Sequence, residues 1–259
     1  MMRDIRWRSR SALLSIALAL LFYALFLAAT APASVAAWVL DRASRGTIFL
    51  EGAAGSFWNG RADAVVVSVG AAKQRFNRLT WALNLSPLLR GELSFDLSID
   101  DAKARGRSSL AWRAGMWHIS STALEVASAA IAPYDPVLLI ADPQGRLTLR
   151  TASMTIGGDS MSGNAELDWK DASTGLSRIA PLGSYRAKVE GAGKKMQFSL
   201  DTKEGALQVA GSGTRSREAG LRFEGTARAA AGREAELRPL LVLMGPETSG
   251  GVHRIRSGK

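Results

Sequence analysis

Apolar and polar residues alternate with a period of two through most of the chain after residue 46. In residues 79–85 and 93–99, large apolar side chains occupy every second position, and polar residues or alanine occupy the others. The alternation returns in six shorter segments: 65–69, 147–149, 165–169, 196–200, 207–209 and 221–223. A sheet with one apolar and one polar face has this period, and short strands between Gly, Asp and Ser turns are typical of antiparallel hairpins. The pattern therefore predicts an all-β domain over residues 46–259.

Helical periodicity is weak in this domain and is confined to short segments. Residues 35–45, 87–90 and 235–244 carry it, and the last segment ends before Gly245-Pro246, as helices commonly do. We expect a short helix in each segment. The first of them belongs to a helical connector, residues 32–45, that leads into the β domain.

The N-terminal region is apolar in a different way. Residues 11–40 carry no charged side chain, and a run of about 20 apolar residues is long enough to cross a bilayer as a helix. Four arginines and one aspartate lie in residues 1–10, and positive charge favours the cytoplasmic side. The sequence predicts a cytoplasmic segment at 1–10 and a transmembrane helix at 11–31. The rest would lie in the periplasm, in a single-pass inner-membrane topology.

A cleaved signal peptide is the alternative interpretation of this region. Residues 31–33 and 34–37 offer the small side chains found at cleavage sites. The apolar run is longer than the roughly 7–15 residues usual for the core of a signal peptide, which favours an uncleaved anchor. Both interpretations place the β domain outside the cytoplasm.

A weak internal repeat divides the β domain into hairpins. Gly46, Gly145 and Gly205 each open a segment of the form Gly-x-(Ile/Leu)-x-(Leu/Val), and a Gly-x-Ala segment follows 14 to 20 residues later. The later segments begin at Gly60, Gly163 and Gly225. This arrangement predicts a hairpin in each copy, with the return strand beginning at the second glycine.

The segment Gly-Ser-Phe-Trp-Asn-Gly, residues 55–60, lies inside the first copy of this repeat. Trp58 would there cover the open end of the apolar face, and the flanking glycines would allow close approach of the backbone. A ligand-binding aromatic box is the alternative. We expect mainly a structural corner.

Composition narrows the chemistry that the chain can support. It has no cysteine and only two histidines, which excludes disulfides, thiolate metal sites and lipid attachment at an N-terminal cysteine. The formal net charge of +10 favours anionic partners such as phospholipid headgroups. The basic residues are scattered and form no nucleic-acid-binding motif, so we expect no nucleic-acid partner.

The sequence offers no catalytic constellation. Asp100 and Asp101 are adjacent in a strand and its turn, so their side chains point apart, and Gly157–Ser160 suits a hairpin turn. A Gly-x-Ser-x-Gly elbow and a phosphate-binding loop are absent from the sequence. We expect no enzymatic activity, and we assign no catalytic, cofactor-binding or metal-binding residues.

Three motifs are more specific than the rest. A Trp-x-Leu-x-Leu-Ser-Pro-Leu-Leu-x-Gly segment spans residues 81–91. The other two are Gly-x-x-Trp-x-Gly and Pro-Leu-Gly-x-Tyr, formed by Gly55, Trp58 and Gly60 and by Pro181, Leu182, Gly183 and Tyr185. With the apolar N-terminal segment before them, these motifs resemble the type II secretion system protein N family, in order along nearly the whole chain.

The resemblance implies a non-catalytic inner-membrane accessory component of the machine that exports folded proteins from the periplasm across the outer membrane. Its partners would be other inner-membrane and periplasmic components of that machine, with inner-membrane phospholipid around the anchor. It implies no cofactor. It also implies a curved sheet similar to that of AsmA-like proteins, whose apolar grooves hold lipid.

Two functional hypotheses follow from these expectations. In the first, the domain is an assembly module whose sheet edges accept strands from partners. In the second, its apolar face is a groove that binds or transfers lipid, with an acyl chain as the candidate ligand. A face closed by Trp58, Trp81 and Trp169 would favour the first hypothesis, and an open face would favour the second.

Overall fold

The alternating segments form strands of one antiparallel sheet. The structure is a computed structural model that describes residues 4–216 and 220–258, with side chains described from residue 14 onward. Its strands are β1 (Ile48–Glu51), β2 (Ala54–Gly55), β3 (Asn59–Val69), β4 (Ala72–Asn84), β5 (Leu93–Asp100), β6 (Ala104–Arg113), β7 (Met116–Ala127), β8 (Gln144–Gly157), β9 (Ser160–Ser173), β10 (Gly183–Gly193), β11 (Lys195–Gly205), β12 (Leu207–Ser216), β13 (Gly220–Ala229), β14 (Glu247–Ser249) and β15 (Val252–Ser257). Its α-helices are α1 (Asp4–Ala29), α2 (Ala33–Ala43), α3 (Pro136–Ala141) and α4 (Glu234–Met244).

The sheet is a meander. Its order is β1-β3-β4-β5-β6-β7-β8-β9-β10-β11-β12-β13-β15-β14, with β2 paired to β3. From β3 to β12, each strand pairs with the strands that precede and follow it in sequence, and β13 pairs with β12 and β15. The expected fold of antiparallel hairpins is confirmed, and the sheet is open because β1 and β14 stand at its two ends.

Register places the large apolar residues on one face of this sheet. Directly paired residues project to the same side, and the pairs include Leu110 with Ile119 and Leu149 with Leu167. The opposite face carries polar residues such as Asp168. The period of two in the sequence therefore corresponds to two chemically different faces that extend across the sheet.

Irregular positions interrupt the ladder and bend it. The register shifts between β6 and β7 and again between β9 and β10. Ser121 and Asp171, which lie at these shifts, have φ values of 48° and 50°. A β-bulge bends its strand and increases the local twist, so these positions give the sheet curvature.

Helices cover the apolar face at its two ends. Near the first strands, α2 packs on a cluster that includes Leu50, Val65 and Trp81. Near the last strands, α4 contributes Leu237 and Leu241 to a second buried cluster. The predicted connector and the predicted C-terminal helix correspond to α2 and α4, whereas residues 86–90 form a 3₁₀ helix. The middle of the apolar face lies between these two helices.

Helix α1 precedes this body, and its apolar side chains from Leu14 to Leu27 are exposed. Among the described residues, no helix has the length and apolar character needed to cross a bilayer. The expected cytoplasmic segment, residues 1–10, has its side chains outside the described part of the chain. The transmembrane helix expected at residues 11–31 stays a prediction.

Candidate functional site

The corner at residues 55–60 needs glycine at both ends. Gly55 has a φ of 96°, and a Cβ there would lie 2.8 Å from the carbonyl oxygen of Asn59. A Cβ on Gly60 would lie 2.3 Å from Cζ2 of Trp81, its cross-strand partner on β4. The indole of Trp81 is only 6% exposed and donates a hydrogen bond to the carbonyl oxygen of Phe57 at 3.0 Å. The tryptophan that lies over this corner is therefore Trp81.

Trp58 has a different position from the one expected. It is half-buried, and its Nε1 donates a hydrogen bond to the carbonyl oxygen of Ala28 at 2.8 Å. Its ring meets Phe57 edge-on, with 5.3 Å between the ring centroids. The backbone N–H of Phe57 in turn donates to the carbonyl oxygen of Ala31. Trp58 thus ties the corner to the end of α1, and its one polar atom already has a partner within the chain.

The Pro181–Tyr185 motif occupies the other end of the sheet. Leu182 and Tyr185 are buried in the cluster under α4, and Tyr185 Oη donates to the carbonyl oxygen of Leu207 at 3.0 Å. Burial raises the pKa of the Tyr185 phenol above its ordinary value. A Cβ on Gly183 would lie 2.4 Å from the carbonyl oxygen of Glu204. This motif therefore packs the start of β10 against its neighbours.

The two motifs do not form one site. Gly55, Trp58 and Gly60 lie around the start of β3, next to the first cluster, whereas residues 181–185 lie around the start of β10 and contribute Leu182 and Tyr185 to the second cluster. Each motif instead fixes a place where a helix covers the sheet. Their glycines and aromatic residues serve packing in both places.

The apolar face is open between these covered ends. In this middle region, β5 to β8 present half-buried side chains, and among the described residues no α-helix packs over them. These side chains include Phe95, Leu110, Ile119 and Leu149. Trp81 belongs to the first buried cluster and Trp169 packs against the second, so they close the two ends of the face. Between the ends, the connection from β7 to β8 reaches β3, where Tyr134 Oη donates to the carbonyl oxygen of Val67.

The polar face is held by charged groups that satisfy one another. Arg186 donates to both carboxylate oxygens of Asp168, at 2.7 and 3.0 Å, and Arg150 lies 3.2 Å from the same group. The hydrogen bonds from Arg186 lower the pKa of Asp168, against the opposing effect of burial. Hydrogen bonds from Ser109 and Asn84 likewise lower the pKa of Asp96. These carboxylates stay ionised and bound, so their role is structural.

The histidines also have partners within the chain. His118 Nδ1 lies 2.9 Å from Oγ1 of Thr155. Nδ1 of the buried His253 lies 2.8 Å from the carbonyl oxygen of Gly245. In the part of the chain that the structure describes, no three residues among histidine, aspartate and glutamate come together as a metal site would require.

Comparison with protein families identifies the family to which the chain belongs. The family model described as type II secretion system (T2SS), protein N, matches residues 47–256, which is most of the chain and nearly all of the sheet. The chain belongs to the type II secretion system protein N family. Neither the comparison with curated proteins nor the one with solved structures gives a significant match.

Membership of this family makes the chain a component of the type II secretion system. The match begins at residue 47, directly before β1, and ends within β15. The region matched by the family model therefore comprises the sheet and α4. Both glycine-containing motifs lie within this region. In this T2SS protein N, each motif lies next to one of the two helix-covered clusters of the sheet.

Proposed function

We propose that this T2SS protein N is a non-catalytic accessory component, anchored in the inner membrane by α1 and with its sheet in the periplasm. There it would support the export of folded proteins across the outer membrane. The observation that carries the proposal is the single open sheet, because an unpaired edge can accept a strand from a partner.

The edge best suited to a partner is that of β15. On its outer side, β15 pairs with β14 only around Val252 and His253, and Arg254 donates to the carbonyl oxygen of Pro246. Among the described residues, no strand pairs with this side beyond Arg254. The opposite end is less suited, since α2 packs against β1.

The charged groups near β15 leave this edge accessible. Arg254 and Arg256 lie 3.9 and 3.3 Å from the carboxylate of Glu224 on the adjacent strand β13. Their charges are thus directed along the sheet and away from the outer edge. A partner strand could add there without displacing a buried ion pair.

Photocross-linking in secreting cells tests this assignment. A photoreactive amino acid at Ser257, on the β15 edge, should form an adduct with another secretion component. The matched position is Thr214, an exposed residue on an interior strand, which should give no such adduct. Absence of an adduct from position 257, or identical adducts from both positions, would overturn edge docking.

The anchor is supported by the charge distribution and by the exposed apolar surface of α1. Arginine predominates in residues 1–10, and large apolar side chains from Leu14 to Leu27 are exposed. Exposed apolar side chains of this number are stable in lipid and unfavourable in water. An alkaline phosphatase fused after residue 259 should be active in the periplasm. An inactive fusion would reverse the topology, and a mature N-terminus near residue 34 would exclude the uncleaved anchor.

A lipid-binding groove is the second candidate function, and the open centre of the apolar face favours it. Half-buried leucine, isoleucine and phenylalanine side chains there form a continuous surface that an acyl chain could cover. Native mass spectrometry of the full chain, extracted in mild detergent, separates the two candidates. Stoichiometric phospholipid together with no cross-linked secretion component supports the groove. A lipid-free chain that is cross-linked to such a component supports the scaffold.

A further inference from the structure

One rim of the sheet is apolar and basic, and it is the rim at which α1 joins the body. In the meander, β4, β6, β8 and β10 all end at this rim. We define the lower rim as the four connections after these strands, residues 85–92, 113–116, 156–160 and 193–195, with the flanking residues Leu93, Trp112, Trp117 and Met161.

Large apolar side chains follow one another along the lower rim. Direct cross-strand pairing joins Leu93 to Trp112, Trp112 to Trp117, Trp117 to Ile156, and Ile156 to Met161. Because paired residues share a face, these five side chains form a row. Trp112 is 40% exposed and Trp117 is 45% exposed, so the row is open to its surroundings at its centre.

The connection between β4 and β5 adds further apolar surface. Leu85 is 59% exposed and Leu89 is 93% exposed, both in the residues around a 3₁₀ helix. Met116 in the β6–β7 turn is also exposed. Among the described residues, neither buried cluster includes these side chains, so they lie outside the core.

The charges of the lower rim are mostly positive. Its connections carry four basic residues and two acidic ones. The basic residues are Arg90, Arg113, Lys194 and Lys195, and the acidic ones are Glu92 and Asp159. Tryptophan and basic side chains are the types that favour the interface between a bilayer and water, and an anionic surface attracts the basic ones.

The contact of Trp58 with α1 fixes the height of the lower rim relative to the bilayer that would hold α1. Its Nε1 donates to the carbonyl oxygen of Ala28, and its own carbonyl oxygen accepts from the N–H of Leu83 near the end of β4. Residue 28 lies within the last turn of the proposed anchor. The corner, and with it the lower rim, therefore lies at the bilayer surface when α1 is in the membrane.

We propose that the lower rim docks on the periplasmic surface of the same anionic phospholipid bilayer that holds α1. The inference rests on the proposed anchor. The leucine and methionine tips and the two tryptophans enter the interfacial layer, and the arginines and lysines contact lipid phosphates. The sheet then stands on the membrane by one rim, with its open apolar face reaching down to the lipid.

The opposite rim provides the matched control. Helix α3 there exposes Val137 to 72%, which is comparable with the rim residues. It lies between Asp135 and Asp142, which would be repelled by anionic headgroups. Exposure of apolar side chains alone thus does not distinguish the two rims, whereas charge and proximity to α1 do.

Single-cysteine labelling of the full chain tests the inference, because the natural sequence contains no cysteine. The variants Leu89→Cys, Met116→Cys, Val137→Cys and Leu20→Cys would each carry a fluorophore, in vesicles of phosphatidylethanolamine and phosphatidylglycerol. Quenching is measured with nitroxides on lipid acyl chains and with aqueous iodide. We expect labels at 89 and 116 to be quenched by the lipid nitroxides several-fold more than the label at 137, and to be protected from iodide.

The reference position on α1 separates failure of this inference from failure of the anchor. If the labels at 89 and 116 are as open to iodide as the label at 137, lower-rim docking is overturned, whatever the label at 20 reports. The label at 20 decides the anchor alone, which holds if lipid nitroxides quench it and fails if iodide does. The proposal stands only if positions 89 and 116 both report lipid.

Discussion

The indole of Trp81 lies over the backbone of Gly60, its direct partner across β3 and β4. The contact is so close that any side chain on residue 60 would meet the ring at 2.3 Å. Trp81 also packs in the cluster that joins α2 to the sheet, with Leu50 and Val65. One pair of residues thus couples the glycine-containing corner to the helix that covers the first end of the apolar face.

Replacement of Trp81 by alanine should strongly destabilise the domain. Truncating a buried tryptophan costs about 3–5 kcal/mol, because apolar contacts are lost and a cavity remains. Trp117→Ala is the matched control, since that indole is 45% exposed, and its cost should be much smaller. Chemical denaturation of the full chain in detergent, followed by circular dichroism, measures both. Equal costs for the two variants would show that Trp81 does not support the α2 cluster.

The alternation of apolar and polar residues is the most informative signal for the fold, because it indicates strands whose sheet has one apolar and one polar face. It located the strands around residues 79–85 and 93–99. The repeat also predicted hairpins that the structure contains, with β8 paired to β9 and β12 paired to β13. Their return strands begin at Ser160 and Gly220, before the second glycine, because pairing continues to the hairpin turn.

Other features depended on register, which the alternation does not give. Which tryptophan lies over this corner depends on the offset between β3 and β4. The sequence predicts that Trp58 covers the open end of the apolar face, whereas the structure has Trp81 there, over Gly60. Helix α3 was missed although its signals were present. Asp135 accepts hydrogen bonds from the N–H groups of Val137 and Leu138, and Pro136 occupies the first turn. Its six residues are too short for a helical period to stand out.

Tyr185→Phe should lower the free energy of unfolding, because Tyr185 belongs to the buried cluster under α4. The variant loses the hydrogen bond to the carbonyl oxygen of Leu207, which is worth about 1 kcal/mol. It should also change the dependence of stability on alkaline pH. Because burial raises the pKa of Tyr185, the natural protein has stability from the neutral phenol that is fully present below pH about 10 and is lost as pH rises further.

Denaturation curves of both proteins at neutral and alkaline pH measure this effect. The natural protein should lose more stability than Tyr185→Phe as the pH rises above about 10. Tyr23→Phe, on the exposed surface of α1, is the control and should follow the natural protein. Identical alkaline profiles for all three would contradict burial of the Tyr185 phenol.

Asp168→Asn should destabilise the polar face by about 2 kcal/mol, because hydrogen bonds to charged groups are worth about 1.5–3 kcal/mol. The carboxylate is bound by Arg186 and is largely buried. Its pKa is lowered in the folded state, so its contribution is present above pH about 4 and is lost as pH falls through the folded pKa.

Acid titration of stability tests the assignment of Asp168. The natural protein should approach the stability of Asp168→Asn as the pH falls below about 4. Asp201→Asn, at an exposed position on β11, should have little effect at any pH. A constant difference between the natural protein and Asp168→Asn down to the lowest pH would show that the ion pair is not the source of the effect.

Trp58→Phe should loosen the junction between α1 and the sheet and leave the sheet itself intact. Phenylalanine retains an aromatic ring beside Phe57 but cannot donate to the carbonyl oxygen of Ala28. Hydrogen exchange followed by mass spectrometry should therefore show faster exchange in residues 28–32, including the Ala31–Phe57 contact region, while exchange in β8 to β10 stays unchanged. Trp112→Phe alters a tryptophan that, in the described part of the chain, has no hydrogen bond to α1, and it should leave residues 28–32 protected. Unchanged exchange at residues 28–32 in Trp58→Phe would mean that the other backbone bonds hold the junction alone, and the level of the lower rim would then not depend on Trp58.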